Sequence, residues 1–399
     1  MAELKKVACE AIDRVASELN DISQELWKNP ELYHSEHHAH TILTDFLENQ
    51  GFHVERKYKL DTAFRATFGD DSVGPHVAVL CEYDALPEIG HACGHNLIAE
   101  LGVAAGIGIK AAMETSGQPI GKLTVLGTPA EEEGGGKIDL IDQHAFDNID
   151  VAMMSHPAPL DALKPKTLAF LSVSRVTMTY KGKASHAAAF PWEGINALDA
   201  AVTCYQTVSC MRQQMKPTWR VHGIITKGGT RPNIIPEEAA LAYSIRTPSR
   251  AELNVLREKM IGCFESAATA TGCKAEFDNL GAPYLNVISN EALASSFETN
   301  AMELGLDFKK NEPKNVPMVS TDMGNVSYVV PSIHPFFNIG TDEANHTRGF
   351  SGATGSATAQ PFTILQGKAM AMTAIDVFTN KDLLHQIKAE FDNEPQRKT

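Results

Sequence analysis

The chain has 399 residues, 43% of them hydrophobic and 21% charged, with a formal net charge of -14. That length exceeds what one hydrophobic core usually serves, so two domains are expected in an ordinary globular protein. The acidic balance excludes nucleic acid and anionic membrane as partners, because their phosphates would be repelled over most of the surface, and favours small-molecule chemistry.

Seven cysteines without a CxxC pair or a secreted-type framework read as reduced and intracellular. The charged start MAELKKVACEAIDRV lacks an apolar signal core, and no run approaches the ~18 apolar residues of a membrane span, so a cytoplasmic location is expected. Apolar residues at Leu4, Val7, Ile12, Val15, Leu19, Ile22 and Leu26 recur in threes and fours, which predicts one amphipathic helix stopped by Asn29 and Pro30. A second helix is expected from about Glu36 to Asn49; the histidines His34, His37, His38 and His40 around its start lie among polar residues and read as a solvated face. Strands follow at 63–68 and 76–81, the second a continuous HVAVLC suited to a buried central position.

EYDALPEIG leaves that strand. An acid just past the carboxyl end of a buried strand stands where open α/β sheets place their sites, which makes Asp84, with Glu82 beside it, a candidate inner or supporting carboxylate; a turn-forming Asp before Pro87 is the plainer alternative. HACGHN then sets the Cys93 thiol and the His95 imidazole ahead of an Ala- and Gly-rich helix at 97–113. The next buried strand, at 122–129, ends in Glu131, Glu132 and Glu133, three acids that repel one another unless a cation neutralises them. Soft sulfur, borderline nitrogen and hard oxygens together point to a hydrolytic metal centre. GGGK at 134–137 is no phosphate loop, since Glu131 and Ile138 stand where a glycine and a Ser or Thr are required. A third strand, in IDVAMMSHP, delivers His156 to the same sheet edge.

From Ser172 the pattern changes to polar and apolar alternation. Strands and two helices, at 196–211 and 250–271, make an α+β unit that reads as a domain inserted at 172–286 into a first domain of residues 1–171 and 287–399. His186 lies between small residues in one conspicuous loop of that unit, and RPNIIPEE forms another. Afterwards come a helix at 290–304, the polar, Gly-flanked loop of His346, a closing helix, and a C-terminal segment KDLLHQIKAEFDNEPQRKT expected to fray.

CGH at 93–95, PAEEEGGG at 129–136, His156, SHAAAFPWEGINALDA at 185–200 and NHT at 345–347 resemble, in order and spacing and over nearly the whole chain, the M20 metallopeptidase family. The similarity is to its amidohydrolase-like branch, which includes bacterial aminobenzoyl-glutamate hydrolases and plant indole-acyl-amino-acid hydrolases. The resemblance implies a metal-dependent exopeptidase-like α/β catalytic domain, with a central mixed sheet and helices on both faces, and an inserted α+β lid or dimerisation domain through which a homodimer forms. It implies two divalent ions, zinc foremost and manganese or cobalt as alternatives, on Cys93, His95, Glu132, His156 and His346, with Glu131 as general base. His186 and Asn233 match lid residues that meet substrate, and Arg246 in SIRTP matches a substrate-binding arginine. Glu82 departs from the family, since other branches carry a histidine ligand there in HxDxxP. A shifted register, with Glu132 as base and Glu133 as ligand, is the minority alignment. EYDALPEIGHACGHN and STDMGNVSYVVPSIHP resemble a group implied to hydrolyse dipeptides ending in a basic residue, β-alanyl-lysine pairs included. The alternatives are an N-acyl-amino-acid or aminobenzoyl-glutamate amidohydrolase, which shares every catalytic residue, and a non-catalytic scaffold that keeps the fold.

Overall fold

In the computed structural model, which describes residues 1–163, 169–279, 281–306, 308 and 318–398, the chain divides into two compact units, 1–169 with 287–398 and 170–286. The first is built on a six-stranded mixed sheet whose order from edge to edge is His53–Arg56, Phe64–Gly69, Lys122–Gly127, His76–Cys81, Val151–Met153 and Ser332–Ile333. The last four run parallel, and the first two pair antiparallel. HVAVLC is buried along its whole length because both faces of the sheet are covered: Val77, Val79 and Cys81 join one apolar cluster, and Ala78 and Leu80 the other. The larger cluster is packed by the helices Ala2–Arg14, Ala16–Lys28, His95–Thr115, Glu291–Glu303 and Gln360–Thr379. Small residues let the central helix lie directly on the sheet; a Cβ at Gly102 would stand 2.5 Å from Cys81 Sγ.

Three expectations change. The first helix breaks at Val15 (φ -109) into two, although the apolar spacing runs through the break. The helix His95–Thr115 is, by length and composition, long and apolar enough to cross a membrane, contrary to the reading that no run approaches that length; it is a core helix, with 89% of its apolar window buried. The C-terminal segment is no frayed tail: Lys381–Asn393 is a helix, capped by Asn380 Oδ1 accepting from Asp382 N and Leu383 N, and it buries Ile387.

The second unit is an antiparallel sheet in the order Lys274–Asn279, Ser172–Lys181, Glu238–Thr247, Arg220–Lys227. Along its two central strands alternate residues are buried, Val176, Met178 and Tyr180 on one and Leu241, Tyr243 and Ile245 on the other. They pack against the helices Ala197–Met211 and Arg250–Thr271, leaving the opposite sheet face open. Each helix starts where its capping residue accepts from the first turn: Asn196 from Leu198 N and Asp199 N, Ser249 from Glu252 N.

Candidate active site

The parallel strands of the first unit all deliver functional side chains at their carboxyl ends. Glu82 and Asp84 follow Cys81, Glu131 and Glu132 follow Gly127, His156 follows Met153, and His334 follows Ile333. Cys93 and His95 flank Gly94, whose φ of 85 turns the chain into the helix His95–Thr115. His346, itself at φ 65, is tied in by its N–H donating to Ala92 O at 2.8 Å, while Asn345 Nδ2 donates to Pro157 O at 3.1 Å.

These ties bring the expected ligands together. Cys93 Sγ lies 3.4 Å from His156 Nε2 and 3.3 Å from His346 Nε2, and Glu132 Oε1 is 3.4 Å from His346 Nε2. Among the described residues four groups of donor atoms result, the atoms of each lying within 4.8 Å of one another: Cys93, His95 and His156; Cys93, Glu132 and His346; His95, Glu131 and Glu132; and Glu82, Glu131 and Asp322. The tautomers follow from the second nitrogens. His156 Nδ1 donates to Pro157 O at 2.9 Å and His95 Nδ1 donates to Asp84 Oδ1 at 2.9 Å, so both Nε2 lone pairs face the cluster. Among the described residues His95 Nε2 has no hydrogen-bond partner; it lies 3.5 Å from Glu82 Oε2 and 3.9 Å from both Glu131 Oε2 and Glu132 Oε1. A buried imidazole lone pair ringed by carboxylates would be satisfied by a cation, and the mixed thiol, imidazole and carboxylate set fits divalent ions.

The electrostatics agree. Burial, and then the charge of Glu132, push the Cys93 thiol well up; burial, and then Glu82, Glu132 and Asp322, push Glu131 well up. Burial alone would lower His95, but Asp84 and the Cys93 sulfur hold it well above its usual range, so that without a cation a proton takes the place on Nε2 that a metal would occupy. Burial likewise opposes ionisation of Glu132, yet His346 and His95 keep that carboxylate below its usual range. So much negative charge out of water calls for a divalent counter-ion, which also draws the thiol to thiolate.

Glu131 and Glu132 point into the cluster, whereas Glu133 is exposed and hydrogen-bonds Tyr33. Asp84 is wholly enclosed and bridges two ligands, accepting from His95 Nδ1 and, at 2.9 Å, from Glu132 N. His186, Asn233 and Arg246 lie in the second unit. There Asn233 O accepts from Ala187 N at 3.1 Å and Ser185 O from Ile235 N at 2.9 Å, clipping the two loops side by side. His186 is exposed, and its Nδ1 accepts from Ala188 N and Ala189 N at 3.3 and 3.1 Å, so its proton sits on the outward Nε2. Arg246 lies on the open sheet face, where the positive charge of Arg175 adds to burial in lowering its proton affinity.

Three buried features escaped the sequence reading: the pair Lys137 and Asp322, His334, and Glu36. Lys137 Nζ donates to Glu82 Oε1 at 2.5 Å and to Asp322 Oδ1 at 2.7 Å beneath Glu131, and His334 stands with its ring 5.7 Å from that of His156. Glu36, next to the expected solvated histidine face, is fully buried, as is most of His40. A fourth strand ending at Ile333 was the available pointer to His334; for the other two no periodic signal exists.

Residues 172–271 match the model of the M20 peptidase dimerisation domain. The chain is 51% identical to the Xaa-Arg dipeptidase of Mus musculus and 48% identical to that of Homo sapiens, each match covering 97% of this chain and 92% of the relative. The chain belongs to the M20 peptidase family. This M20 peptidase also shares its fold with a solved dinuclear metal-binding M20 peptidase from Bacillus subtilis, with a TM-score of 0.70 at 20% identity, over 92% of this chain and 99% of that one. The expected family and architecture, a mixed sheet between helices with a dimerisation domain, both hold.

Proposed function

We propose that this M20 peptidase hydrolyses dipeptides with a C-terminal arginine or lysine, using two divalent metal ions. The observation that carries the reading is the pair of donor groups sharing Cys93 with Glu131 beside them, in a chain so similar along its length to Xaa-Arg dipeptidases. Cys93, His95, Glu132, His156 and His346 hold the ions, zinc fitting the thiol best. Bound there, the ions supply Lewis acidity that polarises a carbonyl and acidifies water.

Glu131 acts as general base, taking the proton from the attacking water and passing it to the leaving amine; burial and neighbouring acids raise its basicity for that task. Asp84 fixes His95 and the Glu132 peptide in place. His186, with its proton outward on Nε2, donates to the oxyanion, Asn233 meets substrate from the neighbouring loop, and Arg246 with Arg175 receives the C-terminal carboxylate. The dimerisation-domain match supports a homodimer, as does the exposure of Ile224 (64%) and Ile225 (39%) on the edge strand and of Val202 (44%) and Tyr205 (38%) on the helix Ala197–Met211. A cytoplasmic location fits the seven free cysteines.

The test is hydrolysis of β-alanyl-lysine, an alanyl-arginine dipeptide, N-acetylated amino acids and aminobenzoyl-glutamate, after chelation and after return of zinc, manganese or cobalt. Metal-dependent cleavage confined to basic dipeptides is expected. Cleavage of the acyl compounds instead would move the protein to amidohydrolase chemistry. Glu131→Gln is expected to keep its metal, measured by elemental analysis, while turnover falls by about 10²–10⁴; an active variant refutes the role.

A further inference from the structure

The turn that presents the general base is held in an unfavourable backbone conformation. Ala130, immediately before Glu131, has φ 61, in the left-handed region that is disfavoured for a residue with a Cβ. Its N–H donates to Glu36 Oε1 at 2.8 Å. Two residues on, the N–H of Glu132 donates to Asp84 Oδ2 at 2.9 Å. Ala130 and Glu131 therefore lie between two peptide units, Pro129–Ala130 and Glu131–Glu132, that are each clamped by a buried carboxylate. Asp84 has work among the ligands besides; Glu36 touches none of them.

Glu36 is fully buried, and its other oxygen accepts from Thr62 Oγ1 at 2.9 Å. Enclosing a carboxyl group for two neutral donors is costly, and an apolar residue would fill the same space without that penalty. Its own backbone is fixed in turn, since Glu31 Oε1 and Oε2 accept from His38 N and Ala39 N, both at 2.9 Å, at the start of the helix that Glu36 precedes. On the far side of the turn, Ala130 O accepts from Gly135 N and Gly136 N at 2.9 and 3.2 Å, and a Cβ at Gly136 would stand 2.0 Å from Pro129 O.

We infer that Glu36 is a positioning residue for the proton-transfer step, holding Ala130 in the left-handed region so that Glu131 and Glu132 diverge toward the reacting water and the metal respectively. The inference rests on the reading of Glu131 as general base. Glycine takes positive φ without steric cost, so Ala130→Gly should do part of what Glu36 does.

Glu36→Ala is expected to lower kcat about ten- to hundredfold, as a displacement of about 1 Å in a catalytic group does, with KM and metal content near those of the parent. Adding Ala130→Gly should restore several-fold of that kcat without restoring the melting temperature. Glu36→Gln, which can still accept from Ala130 N and donate to Thr62, should stay close to the parent. If Glu36→Ala does not fold, Glu36→Asp keeps the charge while withdrawing the oxygen by one methylene, and kcat should fall and recover with glycine in the same way. Unchanged kcat in whichever variant folds overturns the inference, and so does a loss that Ala130→Gly leaves untouched. An active Glu131→Gln, or a parent inactive with every metal, would instead overturn the reading of the base.

Discussion

Lys137 is the residue whose environment differs most from its appearance in the sequence. In GGGK it looks like a loop lysine, yet its ammonium is wholly enclosed, bonded to Glu82 and Asp322, while its backbone N–H donates to Asp322 Oδ2 at 3.0 Å. Burial alone would lower its proton affinity, but Asp322 and Glu82 raise it above the usual value. Glu82, where other branches of the family place a histidine, is thus held on one oxygen by an internal cation and faces His95 with the other. Lys137→Met should leave two like charges facing each other out of water and destabilise the fold by about 3–5 kcal/mol. Thermal melting measures this, and Lys137→Met with Asp322→Asn should recover much of the loss; a melting point unchanged in the single variant would refute the account. Among the candidate ligands, Glu132 and His156 could be read in advance as ligand types just past the ends of apolar strands, and Cys93 and His95 as a thiol and an imidazole ahead of a helix, whereas the full set with His346 came from the family resemblance. Glu36, Lys137 and Asp322 could not, because enclosing a charge depends on partners 94 and 185 residues away and leaves no periodic trace.

Among elements, long periodic runs were legible and short or interrupted ones were not. The strand 76–81 and the helix 250–271 fall where their patterns place them, whereas the short helix Gly136–Asp142 and the edge strand His53–Arg56 offer too few residues for a period to show. The C-terminal helix was misread because its charged residues mask a narrow apolar face. Leu383, Leu384 and Ile387 are spaced for one side of a helix, and that side lands on the core. It also completes the helix Glu291–Glu303: Glu390 Oε2 accepts from Ala292 N at 2.9 Å, and Asn290 Nδ2 donates to Ile387 O at 2.9 Å. Ile387→Ala should therefore cost about 2–4 kcal/mol, read as a lower midpoint in denaturant, where a frayed tail would tolerate the change.

At the scale of the molecule, each unit has its own apolar core, and among the described residues the donor groups all belong to the first. Chelation should therefore lower the melting transition of the first unit and leave that of the second, a difference scanning calorimetry resolves; a single transition indifferent to chelator would contradict the assignment of structural weight to the ions.

The contact between Cys93 and His346 joins residues 253 apart, and the whole of the second unit lies within that interval of chain. Bridged by a cation it acts as a reversible cross-link, limiting the freedom of the unfolded chain by up to about 5 kcal/mol in the loop-entropy model. The catalytic ions are then also the clasp of the fold. Copies starved of metal should open first near residues 342–347, where protease nicks mapped by mass spectrometry are expected with chelator and not with zinc, so that cells short of metal would clear the idle enzyme instead of storing it.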